Sequence, residues 1–251
     1  GLLLRALRKP GIPLLQAIRI RTVADFGRFI PGKVWLILGR VGMTKKFGLP
    51  SDIVTFSALL EIFLNILSTL ILFVILTFLF PQETLMWYAL YILFLLPIPL
   101  FLMHQRFFQP FMKLAAKLLK KKYVKTKIPY YYLLSLLSVF LLAWIVLGIG
   151  FYLMVYALYP TALQNIFPLT AIFAVSWALG FVMIFLPAGL GFREAILSYL
   201  LSFYLPLPIA ILIAIVSRLR LVTGEITTAL LFLPLKNKNT YKQNILKQKN
   251  G

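Results

Sequence analysis

An apolar run in this sequence ends in a proline, two glycines, an arginine and a glutamate, residue types that bind charged groups. The segment, Pro187-Ala-Gly-Leu-Gly-Phe-Arg-Glu194, follows the apolar run 166–186. A helix rises about 1.5 Å per residue, so one over that run crosses most of a hydrocarbon core and leaves the glycines at membrane depth or at its edge. Irregular backbone at that depth persists only where it is buried in protein or lines a wet cavity. The segment therefore predicts a functional site inside a membrane.

Charged residues also occur within other long apolar segments. Glu61, Arg218 and Glu225 each cost about 2.5–3.5 kcal/mol at a helix centre, so we expect them to face protein or water rather than lipid. Arg218 and Glu225 are seven residues apart and share one helix face. A polar stripe on one helix face is formed by Ser57, Glu61, Asn65 and Ser68. Two roles are open for these charges: a ligand site, or pairing of Glu61 or Glu225 with Arg218 or Arg193 that merely holds helices together.

The breaks in the apolar sequence suit a phosphate group. A helix that begins after Pro31-Gly32, or after Gly189-Leu-Gly191, directs free N–H groups and its positive dipole end at the break. Arginine adds a bidentate donor for phosphate oxygens. We expect a lipid headgroup to bind basic and glycine residues near the breaks, namely Lys33, Arg40, Gly189, Gly191, Arg193 and Arg218. We expect three carboxylates to position these cations, to bind a cationic headgroup or to couple an ion: Glu61, Glu194 and Glu225.

Composition places these residues in a polytopic membrane protein. Of its 251 residues 61% are hydrophobic and 13% are charged, and the mean hydropathy is +0.94. Cysteine is absent and His104 is the single histidine, so the sequence predicts no metal site and no cofactor. Without a GxxxxGK[ST] loop, the sequence favours transport that is downhill or coupled to an ion. Trp35 and Trp177 are predicted to anchor helices at the membrane interface, or else to line a cavity that holds the lipid headgroup.

Hydropathy predicts an all-α fold with at least five transmembrane helices and two short re-entrant or half-helices. The transmembrane helices are predicted at residues 52–80, 84–103, 130–158, 166–186 and 207–234. The short elements, each after a proline or glycine break, are predicted at residues 32–47 and 190–205. The chain 1–251 is therefore expected to form one transmembrane domain without catalytic residues.

Two basic segments set the predicted orientation. The linker 105–129 alternates lysines with phenylalanines and leucines, so we expect an amphipathic helix on the membrane surface, and the tail 235–251 is also basic. Loops rich in Lys and Arg stay in the cytoplasm, which places both segments and the C-terminus on the cytoplasmic side of the cell membrane. The net charge of +20 is spread over such segments, where each cation gains about 1 kcal/mol from anionic lipid. We therefore expect membrane lipids, and not nucleic acid, as partners.

The two half-helix regions resemble copies of one unit. A shift of 156 residues places Pro31 on Pro187 and Pro50 on Pro206. The predicted repeat units are about 27–80 and 183–236. The span after the first half-helix leaves the cytoplasm and the span after the second returns to it, so the units are expected to be inverted. Inverted repeats are typical of secondary transporters, whose sites lie near the midplane between the repeats.

Two motifs, in this order, resemble those of the lysylphosphatidylglycerol synthase transmembrane region family. They are Phe29-Ile-Pro-Gly-Lys-Val-Trp-Leu-Ile-Leu-Gly-Arg40 and the segment that ends at Glu194, accompanied by Glu61 and Ser217-Arg218, and the resemblance covers about residues 5–235. Members of that family are flippase-like, and in aminoacyl-phosphatidylglycerol synthases a cytoplasmic domain that makes the lipid follows this region. The resemblance implies lipid translocation without synthesis. Typical members have further N-terminal helices, so we expect the chain to be N-terminally truncated.

The sequence thus predicts a flippase or transporter, not an enzyme, for a lipid with an anionic headgroup. The expected ligand is an anionic or aminoacylated phospholipid or a lipid-linked glycan, and a separate lipid-synthesising enzyme is the candidate protein partner. Two other classes stay open. One is a membrane-embedded transferase with Glu61 or Glu194 as base, which requires convergent acid, base and stabilising groups. The other is a non-catalytic scaffold of a cell-envelope enzyme complex.

Overall fold

A computed structural model describes residues 14–30, 34–102, 129–183 and 185–232, together with positions 110, 113, 114 and 117. All regular structure in these residues is helical, and five stretches are long and apolar enough to cross a membrane. The chain is therefore an all-α polytopic membrane protein, as predicted. The helices are α1 (Leu14–Asp25), α2 (Val34–Thr44), α3 (Ser51–Leu79), α4 (Glu83–Leu95), α5 (Pro97–Leu102), α6 (Tyr130–Leu158), α7 (Ile166–Val182), α8 (Phe192–Leu201) and α9 (Leu207–Phe232).

The observed helices reproduce the predicted spans to within a few residues. The largest difference is at the predicted span 166–186, because α7 ends at Val182. A proline disfavours helical backbone at the residue before it, and Leu186, before Pro187, is extended. The span of α4 and α5 is divided before Pro97, which has no N–H to donate. Apart from isolated positions in the linker, the predicted basic linker 105–129 and tail 235–251 lie outside the described residues.

The half-helices α2 and α8 occupy equivalent places in the two predicted units. A shift of 156 residues places Ser51, the first residue of α3, on Leu207, the first residue of α9. Each long helix begins directly after a proline, Pro50 or Pro206, which stops the preceding helix and is compatible with a new helix start. The order of break, half-helix, proline and long helix thus occurs twice.

The long helices of the two predicted units run in opposite directions across the bundle. The hydroxyl oxygens of Tyr88, near the start of α4, and Tyr199, near the end of α8, lie 3.1 Å apart. Since α4 starts where α3 ends, α8 also ends at that side of the bundle. The half-helix α2, in contrast, leads into the start of α3 at the opposite side. Helix α9 therefore runs antiparallel to α3.

Contacts of two tryptophans show how deep the second break lies. Trp144, at the middle of α6, donates its indole N–H to Oδ1 of Asn65 at the middle of α3, at 2.9 Å. Its ring centroid lies 5.2 Å from that of Trp177, which is near the end of α7. At 1.5 Å per residue, α7 ends roughly 8 Å past the level of Trp144. The break after α7 therefore lies within the thickness of the bundle, as does Glu61, one turn from Asn65.

Helix α7 lies at the centre of the bundle, where it contacts α3, α6 and α8. Helices in an apolar solvent associate through close packing, which small residues allow. The buried small residues of α7 are Ala171, Ala174, Ser176, Ala178 and Gly180. This packing fixes the end of α7 against α8, the half-helix that carries the charged residues of the second break.

Candidate functional site

The second break is a tight backbone contact between α7 and α8. Gly189 has φ +69° and Gly191 has φ +78°, conformations that favour glycine. A Cβ at Gly189 would lie 2.5 Å from the carbonyl oxygen of Gly180. A Cβ at Gly180 would in turn lie 2.6 Å from the Cβ of Arg193. Both Gly180 and Gly189 therefore allow the close approach of these two helices.

Glu194 fixes both the start of α8 and the position of Arg218. Its Oε2 accepts a hydrogen bond from the N–H of Gly191 at 2.9 Å, and its Oε1 lies 3.4 Å from Nη1 of Arg218. A carboxylate thus binds at the helix N-terminus where the sequence predicts a phosphate. The guanidinium carbon of Arg218 also lies 5.8 Å from the ring centroid of Phe29, and the turn of Phe29 contacts that of Pro187–Gly189. The turn that precedes the first break therefore contacts the second break.

Arg193, a predicted headgroup ligand, is only 3% exposed. Its guanidinium carbon lies 5.5 Å from the ring centroid of Phe173, and that of Arg220 lies 5.8 Å from the same centroid. The negative face of an aromatic ring attracts cations. Arg193 therefore secures α8 to the bundle core and adds positive potential behind Arg220, and its predicted role as a headgroup ligand stays a prediction.

Arg40 and Glu61 belong to an ion-pair network that also contains Arg21 and Asp25. Arg40 donates from Nη1 to Glu61 Oε2 at 2.7 Å and from Nη2 to Asp25 Oδ1 at 3.1 Å. Arg21 Nη1 lies 3.0 Å from Glu61 Oε1, and Arg21 Nε lies 3.7 Å from Asp25 Oδ2. Each carboxylate thus offers one oxygen to each arginine, and the four charges cancel.

The two arginines of this network differ in exposure. The Arg40 side chain is 11% exposed, whereas that of Arg21 is 54% exposed. Burial lowers the pKa of Arg40, which lies outside the five spanning stretches, but Glu61 and Asp25 raise that pKa by more. Losing one partner of a buried pair costs about 3–5 kcal/mol, whereas an exposed pair contributes about 0.2–1 kcal/mol. Arg40 is therefore held firmly and Arg21 loosely.

A cavity of about 450 Å³ lies between α1, α6 and α9. Its volume falls within the roughly 300–1,000 Å³ typical of small-molecule sites. The charged residues that line it are Arg21, Asp25, Arg220 and Glu225. The other lining residues are small, hydroxylated or apolar: Thr22, Val146, Leu147, Gly150, Leu221, Gly224 and Thr228. A Cβ at Gly150 would lie 3.3 Å from Nη1 of Arg220, so this glycine makes room for the guanidinium group at the middle of α9.

The structure assembles the predicted site residues into separate groups. Gly189, Gly191, Arg193, Glu194 and Arg218 meet at the second break. Glu61 pairs with Arg40 and Arg21 rather than with Arg218 or Arg193, so the alternative pairing considered for Glu61 is wrong. Glu225 lines the cavity, and Lys33 lies outside the described residues.

The two predicted interfacial tryptophans have different surroundings. Trp177 packs against Trp144 and stacks on Phe181 near the middle of the bundle, so the interfacial position predicted for it is wrong. Trp35 is half exposed and lines an apolar groove of about 290 Å³ between α1 and α2. Neither indole lines the charged cavity.

Sequence reasoning missed three charged residues that line the cavity. Arg21 and Asp25 are four residues apart, a spacing that signals an ion pair on one helix face. Arg220 is two residues from Arg218 and therefore points to a different face of α9. The sequence thus contained a signal for the pair on α1, whereas the ligand predicted on α9 was Arg218, which pairs with Glu194, and not Arg220, which lines the cavity.

The function of this site has to be argued from its geometry. In the described ranges, no three His, Cys, Asp or Glu side chains come close enough together to hold a metal ion. Comparison of the chain with protein-family models, curated proteins and solved structures finds no match. The family resemblance of the two motifs therefore stays a prediction.

Proposed function

We propose that this protein binds the phosphate-bearing headgroup of a lipid in the cavity between α1, α6 and α9, and moves that lipid between the two leaflets. The observation that carries the proposal is a cavity of about 450 Å³ lined by Arg21, on α1, and by Arg220, which lies at the middle of the membrane-spanning helix α9. A charge at that depth costs about 2.5–3.5 kcal/mol unless it faces protein or water. A charged cavity in the membrane interior is therefore a pathway for a charged group.

The cavity wall suits an anionic headgroup. Arg21 and Arg220 each offer a planar fork of donors to phosphate oxygens. Asp25 and Glu225 balance these cations when no anion is bound, which lowers the cost of keeping the site empty. Arg193, behind Phe173, adds further positive potential. The half-helices α2 and α8, each followed by a long helix, supply elements that can rearrange around the cavity, as in secondary transporters.

The test is lipid movement in vesicles that contain the full chain. We would reconstitute it in phosphatidylcholine vesicles with a trace of phosphatidylglycerol labelled on its acyl chain, and quench the label from outside. The protein is expected to expose the inner-leaflet label, and Arg220→Gln to slow this at least about tenfold, the loss of one charge-assisted contact. Lys113→Gln removes an exposed cation from outside the cavity and should leave the rate unchanged.

Two outcomes would contradict the proposed function. In one, the parent protein moves no more lipid than empty vesicles do. In the other, Arg220→Gln and the parent move lipid at the same rate. Either result would favour the transferase or the scaffold.

A further inference from the structure

We infer that Arg21 is an exchangeable ligand of this site. On headgroup binding it leaves Glu61 and Asp25 and donates to the phosphate beside Arg220, while Arg40 keeps both carboxylates in place. The inference rests on the proposed function, because it requires an anion in the cavity. It makes Arg21 a residue that selects anionic headgroups.

Arg21 belongs to both the ion-pair network and the cavity wall. It contacts Glu61 at 3.0 Å and Asp25 at 3.7 Å, and it also lines the cavity with Arg220. Arg40 makes the shorter contacts with the same carboxylates, at 2.7 Å and 3.1 Å, and does not line the cavity. One arginine is therefore placed to move and the other to stay.

After the exchange each carboxylate still has a guanidinium partner, although Arg40 alone then pairs with both carboxylates. Glu61 holds Arg40 through Oε2, and Asp25 holds it through Oδ1, so both carboxylates keep a partner when Arg21 departs. Arg21 replaces two carboxylate oxygens with phosphate oxygens, which match its donor fork equally well. Because its side chain is half exposed and lines the cavity, the guanidinium group is not enclosed by protein during the change.

The exchange would link headgroup binding to the helices of the first unit. The Arg21–Glu61 pair joins α1 to α3, and Arg21 leaves it only when another anion is offered. A headgroup without phosphate, such as that of diacylglycerol, supplies no such anion, so it would leave the α1–α3 contact intact. Occupancy of the cavity by an anion is therefore expected to loosen α1 from α3.

A double-mutant cycle tests the exchange. We would measure the Kd of acyl-labelled phosphatidylglycerol for the full chain in detergent micelles. Arg21→Gln is expected to raise the Kd about tenfold, by the loss of one charge-assisted contact. Glu61→Gln removes the competing partner and is expected to lower the Kd several-fold. In the double variant that gain should vanish, because no Arg21 is left to release.

The cycle separates exchange from a general field effect. If Glu61→Gln tightens binding equally with and without Arg21, or if Arg21→Gln binds like the parent, the exchange is overturned. Arg21→Lys, which keeps the charge, should restore much of the affinity. If Glu61→Gln does not fold, as judged by its melting temperature, Asp25→Asn takes its place in the cycle.

The same experiment distinguishes this failure from failure of the site. If the parent binds labelled phosphatidylglycerol no better than diacylglycerol, which has no phosphate, and Arg220→Gln changes nothing, the proposed function falls as well. If Arg220→Gln weakens binding but the cycle shows no coupling between Arg21 and Glu61, the headgroup site stands and only the exchange is wrong.

Discussion

Replacement of Arg40 by methionine is expected to lower the free energy of unfolding by about 3–5 kcal/mol, the cost of breaking a buried ion pair from one side. Methionine keeps the apolar stem but leaves Asp25 and Glu61 with Arg21 alone, although both carboxylates are mostly buried. The measurement is denaturant or thermal unfolding of the purified protein in detergent, followed by helical circular dichroism.

Arg21→Met is the matched control, because it removes the same group from the other side of the network. Since Arg21 is 54% exposed, its loss should cost at most about 1 kcal/mol. Equal losses in the two variants would show that the network is not divided into a fixed and a loose arginine. The exchange of Arg21 would then lose its structural basis.

Gly189→Ala is expected to destabilise the protein by at least about 3 kcal/mol, because the cost of a positive φ and the cost of steric overlap with a neighbouring carbonyl are summed. The new Cβ would lie 2.5 Å from the carbonyl oxygen of Gly180 at a φ of +69°. Gly191→Ala has a similar φ, +78°, but its Cβ would meet nothing within 4 Å. Backbone strain alone should therefore lower the free energy of unfolding of Gly191→Ala by about 1–2 kcal/mol. Unfolding of both variants under the same conditions checks the difference.

This pair of variants also tests what the two glycines do. If Gly189→Ala were as stable as Gly191→Ala but bound lipid poorly, Gly189 would be a headgroup ligand, as the sequence predicts. If it is much less stable, its role is the close approach of α7 to α8. The structure favours the second role, because the carbonyl of Gly180 occupies the space beside Gly189.

The helices could be predicted from the sequence because a long apolar run has few alternatives to a membrane-spanning helix. The predicted boundaries of α6 were right, and proline marked the starts of α3 and α9. The end of α7 was placed four residues late, because the apolar residues 183–186 continue the hydropathy signal although α7 ends at Val182.

The partners of the charges could be predicted only where they lie on one helix. The spacing of Arg21 and Asp25 indicates their pairing, but Glu61 finds Arg40 through the packing of α2 on α3. The hydropathy pattern predicts the helix face on which a charge lies, but it does not predict which other helix packs against that face. For the same reason Arg218 was favoured over Arg220, although only Arg220 lines the cavity.

Lipid retention by a variant with a filled cavity tests the central claim most directly. Gly224 lines the cavity and Gly42 does not, and a Cβ at either position meets nothing within 4 Å. Native mass spectrometry of the detergent-purified protein would identify the lipids retained by the parent, Gly224→Leu and Gly42→Leu. We predict that the parent and Gly42→Leu retain one class of phosphate-bearing lipid and that Gly224→Leu loses it. Equal retention by all three proteins would contradict a headgroup site in this cavity.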